Sequence, residues 1–272
     1  MSQNERIEMV KAWWNETSDS DWYRSLRTED QIERLMKDPA SAFHPAVYEL
    51  FLKYLPDLKM LRVLLPSSGD NHAAFALALM GARVTSADIS ERQLENAADI
   101  AGRLHLDIKF VCDDSMKLSR IPDQTFDLVY TSNGTLSWID DLDSMNQNFC
   151  RVLKPGGYVI QYDVHPFNRV FSGEAYKEPK IIKAYQDVFP DLHWRLQDIA
   201  NSQIQAGLSL CEMAELPALD ASFWYSYAEL QEKTQENLAD INDWTKNPLA
   251  GLPAWLAMVS KKDGKTITHS RK

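Results

Sequence analysis

Hydrophobic positions divide the chain into three textures. Over the first 60 residues they fall in helical stripes. Within 5–14, Ile7, Val10, Trp13 and Trp14 recur three and four apart. Within 45–55, Val47, Leu50, Phe51 and Tyr54 repeat that spacing, with Pro45 suited to a first helical position. From 61 to 163 the period changes. Runs rich in Val, Ile and Leu at 61–65, 82–87, 108–112, 126–131 and 157–162 predict short buried strands. Helix-like stretches at 72–80, 90–104 and 142–153 separate them. Strands alternating with helices of this length form βαβ units, so a mainly parallel sheet covered on both faces is expected, joined by right-handed crossovers.

Past 163 the alternation continues with a helix at 196–206 and strands at 208–214 and 254–260. The intervening 215–253 holds Phe223, Trp224, Tyr225, Tyr227 and Trp244 and a helical pattern at 227–241, which predicts a packed insertion or lid. The expected organisation is an N-terminal helical cap (1–58), an α/β core (59–214 and 254–262), a helical insertion (215–253) and a flexible tail (263–272).

Composition narrows the partners. The 272 residues carry 39 acidic against 29 basic side chains, a net charge of −10. A duplex binder needs a concentrated cationic face, so no nucleic acid is expected. No apolar run approaches the ~20 residues that span a bilayer, so no membrane partner is expected either. The opening MSQNERIEMV lacks a secretory layout. Cys112, Cys150 and Cys211 form no CxxC pair and no zinc spacing. Free buried thiols, a cytoplasmic location and no metal follow as expectations.

The strand ends carry the polar chemistry. The first strand runs into PSSGDN (66–71) and then directly into a helix, and in a doubly wound sheet ligands bind where such a loop meets a helix N-terminus. Gly69 supplies the permissive backbone there, and Asn71 tolerates positive φ better than most residues. A plain tight turn would use both equally well. Asp88 ends RVTSAD, where a carboxylate can accept two ribose hydroxyls or cap the following helix, a role for which Ser90 competes. FVCDDS ends on Asp113 and Asp114, and either could accept from an adenine amino group or remain a solvated loop acid. FDLVYTSNGTLSWI leads from a buried strand into a polar, aromatic loop, and Pro155-Gly156-Gly157 stops a helix before the fifth strand.

In order and spacing these features resemble the class I S-adenosylmethionine-dependent methyltransferases. That family shows a first strand with a glycine-rich loop, an acid ending the second strand, an Asp-bearing third tip, a FDLV strand and a LKPGG turn, and all five stand in register across 60–163. The resemblance covers most of 45–262. It implies an α/β, doubly wound, seven-stranded sheet, mainly parallel with an antiparallel last strand, and S-adenosyl-L-methionine as cofactor. The first loop departs from the family's DLGCGTG-like form. Leu65 stands at the Asp position and Ser67 and Asn71 replace the outer glycines, while Gly69 keeps the middle one. In this the chain is similar to a divergent bacterial branch of the superfamily. Carried over residue by residue, Ser67, Ser68 and Gly69 fall on the methionine-contacting loop. Asp70 either meets the methionine amino group or caps the next helix. Asp88 falls on the ribose acid and Ile89 on an adenine-packing position. Asp114 and Ser115 align with the adenine-amino site, Asp113 being the alternative, and Asn133 begins the loop that lines the transfer site.

Methyl transfer from a sulfonium needs alignment more than proton transfer, so no catalytic triad is expected. QYDVHPF ends the fifth strand and makes Asp163 and His165 the catalytic candidates. An imidazole with a pKa near ~6.5 suits proton removal, or the same histidine orders the turn before Pro166. Trp13, Tyr23, Trp138 and His165 are the substrate-side candidates. With Trp14, Trp22 and Trp224 the aromatic residues could cage an apolar or cationic acceptor or be plain core.

The expected function is enzymatic: S-adenosylmethionine-dependent methylation of a small-molecule acceptor, with a homodimer left open. A protein acceptor and a non-catalytic S-adenosylmethionine- or nucleoside-binding module are the alternatives. A nicotinamide oxidoreductase would want G-x-G-x-x-G in the first turn, and PSSGDNHA lacks two of those glycines.

Overall fold

The computed structural model describes residues 3–132, 134–188 and 193–264. Four helices come first: α1 (Gln3–Thr17), α2 (Asp21–Leu26), α3 (Glu29–Lys37) and α4 (Pro45–Tyr54). The alternating part follows as β1 (Arg62–Pro66), α5 (His72–Leu79), β2 (Arg83–Asp88), α6 (Glu91–Arg103), β3 (Lys109–Cys112), β4 (Phe126–Thr131), α7 (Leu142–Val152), β5 (Leu153–Val164), α8 (Leu196–Gln205) and β6 (Leu208–Leu216). Two short helices, α9 (Tyr227–Gln231) and α10 (Gln235–Leu238), precede β7 (Trp255–Lys262).

The seven strands form one sheet in the order β3-β2-β1-β4-β5-β7-β6. β1 pairs in parallel with β2 on one side and β4 on the other, so the direction of winding reverses at β1. β7 enters antiparallel between β5 and β6, which makes the expected antiparallel last strand an internal one. Successive residues of β1 point to opposite faces. Val63 and Leu65 join a cluster with α4, α5 and α6, and Leu64 joins one with α7 and α8. Both faces are therefore packed, as the unbroken apolar runs require. α3 and α4 belong to the first of these cores: Phe51 of α4 is fully buried and meets Tyr130 of β4 edge-on at 5.1 Å. Of the 1–58 segment, α1 and α2 lie over the carboxyl ends of the strands.

Three local expectations change. β5 begins at Leu153 instead of 157, because Gly156 (φ +83°) and a register shift opposite β4 let the strand pass through the Pro-Gly-Gly bend. The helix expected over 227–241 divides, since both Ser226 and Thr234 open capping boxes and start separate helices. The three thiols are free, but none is fully buried: Cys112 and Cys150 are partly buried, and Cys211 on edge strand β6 is exposed. Among the described residues no helix is long and apolar enough to cross a membrane and no acid, histidine or cysteine cluster could hold a metal.

Candidate active site

A cavity of about 590 Å³ opens at the carboxyl ends of the central strands, walled on its outer side by α1 and α2. Its volume lies within the ~300–1,000 Å³ typical of small-molecule sites.

The first loop forms the floor. Ser67 and Gly69 both adopt left-handed backbone, at φ +50° and +49°. Ser67 thus holds, at a steric cost, the conformation a glycine would take freely. Its hydroxyl is tied to that of Ser115 at 2.7 Å, and Ser68 is tied to Ser86 at 2.5 Å. These serine pairs bind the loop to the neighbouring strand ends with side chains. A Cβ on Gly69 would stand 1.7 Å from Gln93 Oε1, so α6 closes against this backbone.

Asp88 lies at the tip of β2, buried. One oxygen accepts the N–H of Gly69 and the other that of Ser90, each at 2.8 Å. Ser90, and not Asp88, caps α6 by accepting from Gln93 N. Burial pushes the Asp88 carboxyl up to about 6, against these two hydrogen bonds. Asp70 is likewise buried and pushed up to about 6 by desolvation. Its Oδ2 receives no hydrogen bond and lies 3.4 Å from Arg27 Nε. The cap of α5 is Asn71, which accepts from Ala73 N at 2.8 Å, so Asp70 is not needed for that role. On β3's tip the two acids separate. Asp113 accepts from Asp114 N, Ser119 Oγ and Arg120 N and braces its own loop, whereas Asp114 faces the cavity with Lys117 at 3.5 Å.

The outer wall comes from the N-terminal helices. α1 docks on the start of α6 through Asn15, whose Oδ1 accepts from Ser90 Oγ at 2.7 Å and Arg92 N at 3.2 Å. The His72 ring, at the head of α5, meets the Leu26 carbonyl of α2 at 2.8 Å. Held this way, Trp14, Trp22 and Tyr23 line the cavity together with Trp138. Burial, with Asp70 nearby, pushes the Tyr23 hydroxyl up to about 12, so it stays protonated. Trp22 also touches Tyr227 of α9 at 5.6 Å, the point where the cap meets the insertion.

Of the residues singled out from the sequence, Ser67, Ser68, Asp70, Asp88, Ile89, Asp114, Ser115, Tyr23 and Trp138 stand together on this wall, with Gly69 directly behind Asp88. Trp13 does not line it; it stacks on Trp138 from outside at 4.8 Å. Asn133 lies outside the described residues. The two catalytic candidates are displaced from the cavity. Asp163 accepts three backbone N–H groups, from Gly134, Leu136 and Val164, and shapes the loop after β4. His165 is fully buried, with Nδ1 accepting from Phe167 N and Nε2 against Glu215 at 3.0 Å. The strand end aims both residues into packed structure, a direction that spacing alone does not reveal. Sequence reasoning missed Arg6, Gln93, Asp140 and Arg169, all on the cavity wall. None belongs to a motif; only the burial of Gln93 against a left-handed glycine had a sequence signal, in Gly69 itself.

The comparisons agree with this architecture. The family model described as a methyltransferase domain matches residues 64–161, from β1 through most of β5. An uncharacterized methyltransferase of Bacillus subtilis, YbaJ, is 27% identical over 164 residues, 60% of this chain and 64% of that protein, so the match spans less than two thirds of the relative. An S-adenosylmethionine-dependent methyltransferase from Mesorhizobium loti superposes with a TM-score of 0.59 at 19% identity, covering 81% of this chain and 97% of that one. Geranyl diphosphate C-methyltransferase from Streptomyces coelicolor, solved with S-adenosyl-L-homocysteine, gives 0.60 at 12% identity over 96% and 100%. Residues 64–161 thus match a methyltransferase domain, and the seven-stranded sheet shares the fold of these S-adenosylmethionine-dependent methyltransferases.

Proposed function

We propose that this chain transfers the methyl group of S-adenosylmethionine to a small molecule. The observation that carries the reading is the continuity of one cavity, running from the acids on the tips of β2 and β3 to the tryptophans of the outer wall.

The residues fit the cofactor. Asp88 uses one hydrogen bond on each oxygen and retains acceptor capacity for ribose hydroxyls. Asp114 Oδ2, buried with no hydrogen bond and with Lys117 at 3.5 Å, keeps acceptor capacity for an exocyclic amine. Asp70 Oδ2, also without a hydrogen bond and with Arg27 at 3.4 Å, keeps capacity for an ammonium group. Ile89 supplies an apolar surface between them. The loop of Ser67, Ser68 and Gly69 presents backbone at close range. When bound, S-adenosylmethionine would supply an electrophilic methyl on a sulfonium, whose leaving group is a neutral thioether that needs no proton.

The chain's own work is alignment. Trp14, Trp22, Tyr23 and Trp138 form flat apolar walls that restrict the acceptor's orientations and exclude water, the conditions under which proximity contributes most. Tyr23, protonated at neutral pH, can donate a hydrogen bond to an acceptor but not remove its proton. Asp70 and Asp88, each pushed up to about 6, are titratable groups on this wall whose range approaches neutrality.

Calorimetry with S-adenosylhomocysteine, followed by turnover against amines, phenols and thiols, tests the proposal. Micromolar nucleoside binding and transfer to a small acceptor support it. Binding without turnover on any small acceptor favours a protein acceptor or a non-catalytic module, and absence of binding overturns the cofactor assignment.

A further inference from the structure

The charges on the cavity wall do not balance in pairs, and the residue left over points to the acceptor. Arg27 faces Asp70, Lys117 faces Asp114, and Arg6 faces Asp140 at 3.6 Å. Asp88 is held by backbone N–H groups. Arg169, in the turn after β5, also reaches the cavity, and among the described residues it makes no ion pair. One Nη2 hydrogen bond, to Ser137 Oγ at 3.0 Å, fixes its guanidinium and leaves most of its five donors uncommitted. Asp163 feels its field, but that carboxylate is already engaged by three backbone N–H groups.

A partly buried guanidinium braced by a neutral hydroxyl is a receptor for an anion, because a planar fork of charged donors matches carboxylate or phosphate oxygens. Flat apolar surface lines the same cavity: Trp138 follows Ser137 directly in sequence, and Trp14 meets Trp138 at 5.2 Å across a 65° angle. Resting on the methyltransferase reading above, we infer that the acceptor is an organic acid, an anionic head group read by Arg169 joined to a flat apolar body lying against Trp14 and Trp138. The wall's remaining acids are matched by their own partners or by the cationic cofactor, so they do not oppose an anion at Arg169.

Calorimetry on the full chain, with and without S-adenosylhomocysteine, tests this with isosteric pairs: 2-naphthoate against 2-naphthamide, and 2-naphthyl phosphate against 2-naphthol. The expected result is that at least one anion binds about tenfold or more tightly than its neutral partner, as charge-assisted bonds require. The pair that shows the preference identifies the head group as carboxylate or phosphate. Arg169→Gln should abolish that preference without weakening the neutral partner, Arg169→Lys should restore part of it, and Ser137→Ala should reduce it. Equal binding within both pairs, failure of all four probes to bind, or a preference that survives Arg169→Gln overturns the inference. S-adenosylhomocysteine binding is read separately in the same titrations, so failure of the cofactor assignment is distinguished from failure at Arg169.

Discussion

The carboxylate of Asp88 accepts the backbone N–H of Gly69 at 2.8 Å, joining the tip of β2 to the middle of the first loop. One acid therefore faces the cavity and also fixes the path of the segment that floors it. Asp88→Asn keeps the volume but replaces one carboxylate oxygen with a donor. S-adenosylhomocysteine affinity should fall by about 1.5–3 kcal/mol, the range for charge-assisted bonds to hydroxyls. Hydrogen exchange at the Gly69 amide should accelerate in the same variant. An unchanged affinity by calorimetry would remove Asp88 from the ribose role.

Gly69 answers to two constraints that can be separated. Its left-handed φ of +49° costs a side-chain-bearing residue roughly 1–2 kcal/mol, and an added Cβ also collides with Gln93 Oε1 at 1.7 Å. Gln93 is buried, so it cannot swing aside into solvent. Gly69→Ala should therefore destabilise by more than the backbone term alone. Placed on a Gln93→Ala background, the same substitution should cost only that term. A double-mutant cycle in urea checks this, and additive losses would show that the clash relaxes without cost.

The contrast between Gly69 and Arg169 shows what the sequence could carry. The alternation of strands and helices, the acid at 88 and the glycine at 69 follow from local rules: apolar period, strand-end placement and the one residue free to turn. Ser67 was placed on the loop, but its left-handed backbone was not foreseeable, because a serine does not announce φ +50°. The stripe of Trp13 and Trp14 predicted a helix without saying which tryptophan turns inward. That depends on Asn15 docking against Ser90, 75 residues away. Arg169 and Asp140 likewise acquire meaning only once chain segments distant in sequence share one wall.

Two buried acids make the stability of the chain depend on pH in a direction opposite to the usual carboxylate. Asp70 and Asp88 are each raised by burial from 3.8 to about 6. The folded chain therefore binds more protons than the unfolded chain between about pH 4 and 6. Stability from these groups is fully present below about 4 and is lost as pH rises through 6. Asp70→Asn removes one of them. Relative to the parent, this variant should gain on the order of 2–3 kcal/mol between pH 4 and 7.5, at about 1.4 kcal/mol per pKa unit. Cofactor binding runs the other way, weakening below pH 6 as the acids that would hold it become neutral. Urea denaturation at several pH values reads the first effect, and a parent-to-variant gap independent of pH would contradict it.

His165 offers the sharpest separation of a structural from a chemical role. Its Nδ1 accepts from Phe167 N at 3.2 Å, which leaves the ring proton on Nε2 to be donated to Glu215 Oε1 at 3.0 Å. Complete burial lowers its pKa against the pull of Glu215, so the ring is neutral at pH 7 with both nitrogens engaged. Its own N–H reaches the Ala254 carbonyl and anchors the approach to β7. A ring so occupied, behind the cavity, has no lone pair to offer an acceptor. His165→Ala removes two side-chain hydrogen bonds at a fully buried position and should destabilise by about 1–3 kcal/mol. The pH–rate profile of the folded variant should nevertheless keep the parent's shape, with kcat reduced only as far as the folded fraction falls. Loss of a limb near neutral pH, in protein shown to be folded by circular dichroism, would return His165 to the chemistry.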